Sequence, residues 1–184
     1  MKKQSYSGTV PAGIAAPGSL TIMVQAAMIA AIYVVLTFIA NAFGLANYAV
    51  QVRFSEALTI LPYFTPAAIP GLFIGCLLSN ILTGCALPDI IFGSIATLLG
   101  ALGTYALRKW KWLAPVCPII SNMIIVPLVL IYGYGLLIDG LSVLQCFGYY
   151  CLTVGAGEVI SCGILGMILL FTLQKYSHKI FAND

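Results

Sequence analysis

Residues 20–40 read LTIMVQAAMIAAIYVVLTFIA, a run of apolar and uncharged side chains. A helix of this length rises about 30 Å, which is the thickness of the hydrocarbon core of a bilayer. The run is also longer than the apolar part of a cleaved signal peptide, which is about 7–15 residues. We therefore expect a retained helix that spans a membrane.

The composition of the whole chain extends this expectation to the rest of the protein. Hydrophobic residues make up 61% of the 184 residues and charged residues only 7%, against about 25% charged residues in a typical soluble domain. The net charge of +3 comes from few and dispersed basic residues, which excludes a nucleic-acid-binding protein. A soluble enzyme and a disordered protein are excluded as well.

Apolar segments recur along the chain and predict an all-α integral membrane protein with six transmembrane helices. The second segment is too short for a straight span, so we expect it to be tilted or continued by irregular backbone shielded by protein. The organisation we expect is a tail at 1–19, a transmembrane domain at 20–175 and a second tail at 176–184. The six predicted segments are 20–43, 53–65, 66–82, 89–107, 113–131 and 142–174.

Basic residues predict the orientation of this bundle, because they favour the cytoplasmic side of a membrane. Lys2 and Lys3 precede the first segment, a cluster at 108–111 follows the fourth, and another at 175–179 follows the sixth. All three groups lie on one side only if the short second segment crosses. The sequence thus predicts six spans with both termini cytoplasmic.

Ionisable residues inside the spans are candidate functional residues, because a charge near the bilayer centre costs about 2.5–3.5 kcal/mol on insertion scales. Glu158 lies seventeen residues before Lys175, about 25 Å along a helix, and so falls in the outer half of the membrane. Gly155 and Gly157 leave room beside it for a ligand or a close helix. A structural hydrogen bond is the alternative role for Glu158.

Further polar residues gather toward the same side under this topology. The loops 42–53, 83–88 and 132–141 would all face outward, which predicts a polar, partly apolar-walled pocket just below the outer surface. Two simpler roles stay open. Arg53 and Glu56 could form an ion pair with each other, and Asp89 could only satisfy the positive end of a helix. The residues in question are Arg53, Glu56, Asn80, Asp89 and Asn122.

Catalytic and nucleotide-binding motifs are missing from the sequence. It has no G-x-x-x-x-G-K-[ST] phosphate loop, so it cannot hydrolyse ATP by that device. Its one histidine, His178, lies in the predicted C-terminal tail. We therefore expect neither an enzyme nor a metal or cofactor site.

Small residues on the first helix form two overlapping small-xxx-small pairs, Ala26 with Ala30 and Ala27 with Ala31. Such faces let helices approach closely in lipid. They indicate packing within this chain or docking to another membrane protein.

Four stretches carry a resemblance to a known family: QVRFSEALTILPYF at 51–64, TPAAIPGLFIGC at 65–76, SNIL at 79–82 and PDIIFG at 88–93. Together they resemble the queuosine-precursor transporter family (QueT type), which are substrate-specificity subunits (S-components) of energy-coupling factor (ECF) transporters. The resemblance covers about residues 20–175. The alanine pairs of the first helix match the small-residue motif of these subunits.

The resemblance implies a multi-pass protein of the plasma membrane that captures a vitamin-like solute from outside, under loops between six helices. It further implies docking through helix 1 to a transmembrane coupling subunit, which is joined to two ATPases that use the ATP. The whole specificity subunit is thought to topple in the membrane to deliver the solute. The solute would be a 7-deazaguanine such as a queuosine precursor.

Chemistry assigns hypothetical roles within that site. A guanine-like base shows adjacent N–H donors, which one carboxylate can accept, and Glu158 is the first candidate with Asp89 the second. Asn80 or Asn122 could meet the carbonyl edge or a ring nitrogen. The aromatic candidates for stacking on the ring are Tyr63, Tyr132, Tyr149 and Tyr150.

Other functions remain open at this level. The same transporter class includes folate, riboflavin and purine carriers, and a stand-alone membrane channel or enzyme is a different class. A purely structural membrane subunit is the third alternative, and it should bind no small molecule.

Overall fold

The computed structural model describes residues 19–44 and 52–180, and this part of the chain is entirely helical. The predicted tails at 1–19 and 176–184 lie almost wholly outside the residues whose side chains are described. Two π-helical stretches continue the preceding α-helices. The elements are α1 (Ser19–Ala42), a 3₁₀ segment (Phe54–Tyr63), α2 (Ala68–Leu82), α3 (Leu87–Ala106), a 3₁₀ turn (Lys111–Leu113), α4 (Val116–Leu128) with a π stretch (Val129–Gly133), α5 (Val143–Glu158), a second π stretch (Val159–Leu165) and α6 (Gly166–Ile180).

Helices α1 and α2 run parallel and are in close contact through two glycines of α2. A Cβ on Gly71 would lie 2.8 Å from the backbone oxygen of Ala26, and one on Gly75 would lie 3.1 Å from the Cα of Ala30. Only glycine permits this approach, because any side chain at these positions would meet backbone. The GLFIG stretch at 71–75 is therefore used for packing within the chain.

The 3₁₀ segment returns between α1 and α2 in the opposite direction. Thr37 donates to Ser55 near its start, at 3.0 Å, and Thr65 just past its end donates to Gln25, also at 3.0 Å. Ten residues at about 2.0 Å each give roughly 20 Å, less than the hydrocarbon thickness. Every residue from 55 to 62 is buried, so protein shields this short segment, which is one of the two options that the sequence analysis gives for it.

The remaining helices alternate in direction. Thr97 of α3 donates to Cys76 of α2, Ser121 of α4 donates to the Ala96 carbonyl of α3, and Cys151 of α5 donates to the Met123 carbonyl of α4. Four helical stretches in the described residues are long and apolar enough to cross a membrane: 19–42, 87–106, 111–133 and 143–176. The all-helical membrane bundle is confirmed, while the count of six spans and the side of the termini stay predictions.

The last long helix begins at Val143 with a capping box. Ser142 accepts from the backbone N–H of Gln145 at 3.4 Å, and the Gln145 side chain accepts from the Ser142 N–H at 2.8 Å. The helix then continues into α6 through the π stretch that follows Glu158. The predicted long, kinked sixth helix thus has a local irregularity at its buried glutamate, a place where π stretches often mark function.

Replacing Ser142 with alanine should destabilise the start of α5 by about 1 kcal/mol, because a backbone donor loses its acceptor. Ser142→Asp should keep most of the stability, since aspartate also caps helices. Thermal unfolding of the purified protein in detergent measures both. Equal midpoints for the wild type and Ser142→Ala would contradict this role of Ser142.

Candidate functional site

A polar cavity of about 400 Å³ opens at one end of the bundle. The end of α1, the start of the 3₁₀ segment, the α2–α3 loop and the chain after α4 surround it. These are the regions that the sequence analysis places together on one side. The lining residues are Thr37, Ala40, Asn41, Arg53, Asn80, Thr83, Gly84, Cys85, Asp89, Val126, Leu130, Tyr134 and Leu136.

Three of the predicted site residues line this cavity: Arg53, Asn80 and Asp89. Asp89 lies in the first turn of α3, directly after Pro88, at the positive end of the helix dipole. Asn80 lies near the end of α2 and donates to the main-chain oxygen of Asp89 at 3.3 Å. The cavity therefore holds a carboxylate, an amide and a guanidinium.

The side chains of Asn80 and Asp89 both pack over Gly93 of α3. A Cβ at this position would lie 3.2 Å from the Asn80 Nδ2 and 3.3 Å from the Asp89 Oδ1. The two polar atoms are thus neighbours over the same point of α3, one turn beyond Asp89. The PDIIFG stretch quoted above supplies both the carboxylate and the glycine on which it rests.

A second polar layer lies one helical turn beneath the cavity. Tyr33 is four residues before Thr37 on α1, and Asn122 is four residues before Val126 on α4. The hydroxyl of Tyr33 donates to Glu56, and the Asn122 amide donates to the other carboxylate oxygen of Glu56 at 3.4 Å. The layer is therefore closed by hydrogen bonds among α1, the 3₁₀ segment and α4.

Glu158 belongs to this lower layer. Its carboxylate accepts from the Cys162 thiol at 3.1 Å, and it is buried. The carboxylates of Glu56 and Glu158 and the Cys162 sulfur lie within 4.8 Å of one another, close enough to share a metal ion. Protein donors already engage both carboxylates, so these contacts explain the cluster as a satisfied polar layer.

The sequence analysis therefore grouped residues that the structure divides into two layers. Arg53, Asn80 and Asp89 line the cavity, whereas Glu56, Asn122 and Glu158 lie below it. The first-choice carboxylate, Glu158, is not among the lining residues. Glu56 contacts Tyr33 and Asn122, and Tyr33 had no signal in the sequence, because it is one tyrosine within an apolar helix.

The aromatic candidates lie away from the cavity. Tyr149 packs edge-to-face on Tyr150, with ring centroids 5.6 Å apart, on the outward side of α5. Tyr63 accepts from Gln174 at the opposite end of the bundle, and Tyr132 is 75% exposed. None of the four is among the residues that line the cavity.

The aromatic residue that does line the cavity is Tyr134, which the sequence analysis missed. Its hydroxyl accepts from the backbone N–H of Ala86 at 3.1 Å, which joins the chain after α4 to the α2–α3 loop. Partial burial raises the pKa of Tyr134 above its ordinary value. The sequence signal that could have identified Tyr134 is its position between two glycines, Gly133 and Gly135.

The four alanines of α1 fall into two sets. Ala26 and Ala30 are buried against α2, whereas Ala27 and Ala31 face outward from the bundle. In its most apolar stretch α1 has 17% of its residues buried, against 44% in each of the other three long spans. The packing interpretation therefore holds for the first pair, and only the second pair is free to meet a partner or lipid.

Comparison with known proteins gives a consistent result. The model of the family described as QueT transporter matches residues 23–175. Queuosine precursor transporter QueT of Lactococcus lactis subsp. cremoris (strain MG1363) is 34% identical over 90 residues, which are 48% of this chain and 53% of that protein. The chain thus spans about half the length of the curated relative it matches. No solved structure matches. Both names describe transporters, which confirms the resemblance and the prediction that this is not an enzyme.

Proposed function

We propose, since the chain belongs to the QueT transporter family, that it binds a queuosine precursor of the 7-deazaguanine type in the polar cavity. The observation that carries the proposal is the cavity itself, in which Arg53, Asn80 and Asp89 converge. Its volume of about 400 Å³ falls in the range of small-molecule sites. Asn80 and Asp89 are buried and Arg53 is half-buried, and such groups in a membrane bundle are costly unless a partner, water or a solute matches them.

The arrangement of charges supports an outward-facing cavity. Lys111 lies 5.4 Å from the ring of Phe171 of α6, and Gln174 of α6 contacts Tyr63 at the far end of the 3₁₀ segment. The basic cluster and the cavity are therefore at opposite ends of the bundle. If basic residues mark the cytoplasmic side, the cavity opens to the exterior of a plasma-membrane importer.

We further propose that the chain is the substrate-binding subunit of an ECF-type importer. The coupling subunit and the two ATPase subunits are the partners that the family resemblance implies, and ATP-driven uptake would depend on them because the chain itself carries no phosphate loop. The outward alanines Ala27 and Ala31 on the least buried span suit docking to that coupling subunit, because small residues allow close helix contact in lipid.

Binding of 7-deazaguanine compounds to the purified chain in detergent tests the substrate. We expect saturable binding by calorimetry, and release of a 7-deazaguanine from the purified protein on denaturation, identified by mass spectrometry. Folate, riboflavin or a purine in the released fraction would overturn the substrate assignment but keep the transporter class. A chain that binds no small molecule would favour the structural-subunit alternative.

Reconstitution separates the importer from a stand-alone channel or enzyme. Liposomes that contain only this chain should accumulate no solute, and adding the coupling subunit and ATPases should give ATP-dependent uptake. Transport by the chain alone would contradict the proposed role as a binding subunit.

Replacing Ala31 with leucine should weaken co-purification with the coupling subunit at least about tenfold, because the added side chain holds the two helices apart. Ala156→Leu is the matched control, since Ala156 is an outward-facing alanine on α5. Both variants should bind solute like the wild type. Equal recovery of the complex from both variants would show that this face of α1 is covered by lipid.

A further inference from the structure

We infer that Asp89, placed beside Asn80 on Gly93, reads the edge of the base that carries the carbonyl, the ring N–H and the exocyclic amino group. The inference rests on the proposed function and names the part of the solute that decides specificity. It assigns this role to Asp89 in place of Glu158.

The positions of the two polar atoms give the first argument. The Asn80 Nδ2 and the Asp89 Oδ1 both lie within 3.3 Å of the point where a Cβ of residue 93 would be. They are therefore adjacent, and both residues line the cavity. The Asn80 amide nitrogen donates to the Asp89 main-chain oxygen at 3.3 Å and to the Cys76 sulfur at 3.6 Å, which fixes Asn80 beside Asp89.

The chemistry of the cavity gives the second argument. A carboxylate accepts two adjacent hydrogen bonds, and the guanidinium of Arg53, which lines the same cavity, carries N–H donors. Asp89 and Arg53 together thus offer two acceptors and a donor to a solute in the cavity. A guanine-type edge presents the complementary row: an amino group and a ring N–H as donors, then a carbonyl oxygen. An adenine-type edge presents an acceptor nitrogen to the carboxylate, which is repulsive.

The third argument is that the other two carboxylates already have hydrogen-bond donors within the protein. Glu56 already accepts from Tyr33 and Asn122, and Glu158 accepts from Cys162, in the layer below the cavity. Asp89 lies at the N-terminus of α3 and lines the cavity together with Arg53. It is the carboxylate that a solute in the cavity meets directly.

The test compares three ligands on the purified full-length chain by calorimetry: 7-deazaguanine, 7-deazahypoxanthine, which lacks the amino group, and 7-deazaadenine. We expect the wild type to prefer 7-deazaguanine over the other two by about 10- to 100-fold, the effect of leaving a buried acceptor unpaired. Asp89→Asn should lose most of this preference, because its side chain has one acceptor oxygen in place of two. Glu158→Gln should keep it.

The outcomes separate this inference from the proposed function. Equal affinities of the wild type for the three ligands would overturn the inference and leave the 7-deazapurine transporter standing. Loss of preference in Glu158→Gln, with Asp89→Asn unchanged, would return the role to Glu158. A wild type that binds none of the three would overturn the proposed function and the inference with it.

Gly93→Ala tests whether Gly93 positions Asp89 and Asn80, and it does so without replacing a polar side chain. Its Cβ would force the ends of Asn80 and Asp89 to move by a few tenths of an ångström, so we expect at least about a tenfold loss of 7-deazaguanine affinity. Gly148→Ala is the control, because a Cβ there has no neighbouring atom within 4 Å. Thermal midpoints of both variants should match the wild type. Unchanged 7-deazaguanine affinity in Gly93→Ala would contradict the role of Gly93 in positioning Asn80 and Asp89.

Discussion

Gly75→Val is expected to destabilise the bundle by about 3 kcal/mol or more, the upper range for overpacking a tight contact. Even the first added carbon would lie 2.8 Å from the Cβ of Tyr33 and 3.1 Å from the carbonyl oxygen of Ala30. Neither neighbour can move away, because one belongs to the backbone of α1 and the other is attached to it directly. Helices α1 and α2 would have to separate, which also displaces Tyr33 from Glu56.

Thermal unfolding in detergent, followed by size-exclusion recovery, measures this effect. At about 2–4 °C per kcal/mol for a chain of this size, the midpoint should fall by about 6–12 °C. Gly148→Val is the matched control, because that helical glycine has open space around it. A midpoint for Gly75→Val equal to that of the control would show that α1 and α2 are not packed through this glycine.

Tyr33→Phe is expected to destabilise the protein by about 1–3 kcal/mol, because a buried carboxylate loses a hydrogen-bond donor. The Tyr33 ring is fully buried and phenylalanine has the same shape, so the change isolates the hydroxyl that donates to Glu56. Tyr132→Phe, at a tyrosine that is 75% exposed, should change stability by less than about 0.5 kcal/mol.

A double-mutant cycle with Glu56→Gln decides whether the hydroxyl acts through Glu56. Glutamine carries no charge to satisfy, so Tyr33→Phe should cost clearly less in the Glu56→Gln background than in the wild type. Additive losses would mean that the Tyr33 hydroxyl contributes to stability by another route. Solute affinity is measured on the same proteins, and a change there would show that the lower layer supports the cavity above it.

The fold was largely predictable, because the hydropathy of a short stretch of sequence is enough to predict that this stretch spans a membrane. Each apolar run longer than about 20 residues is a spanning helix wherever it occurs in the chain. The short second segment was predicted to be either tilted or continued by irregular backbone shielded by protein, and the 3₁₀ segment between α1 and α2 is buried as the second option describes. Its 3₁₀ geometry was not predictable, since the contacts of Ser55 with Thr37 and of Thr65 with Gln25 come from distant residues.

The site was predictable as a set of residues but not as an arrangement. The polar residues stand out because each is expensive in lipid, and three of them do line one cavity. Which carboxylate faces the cavity depends on rotation of each helix about its axis. That rotation follows from packing, such as that of Asn80 and Asp89 over Gly93 and the contact of Asn122 with Glu56, a residue 66 positions away.

By itself the sequence determined that this chain is a helical membrane protein of a transporter family, and it pointed to most of the polar candidate residues. Both results were possible because the free energy of transferring a segment into lipid, and the match to a family motif, depend on residues that are close together in the chain. Only the tertiary structure decided that Asp89 lines the cavity while Glu158 lies beneath it, and that Ala26 and Ala30 are buried while Ala27 and Ala31 are free. The physical reason is that helix rotation is set by contacts between residues far apart in sequence, here glycines of α2 against the backbone of α1.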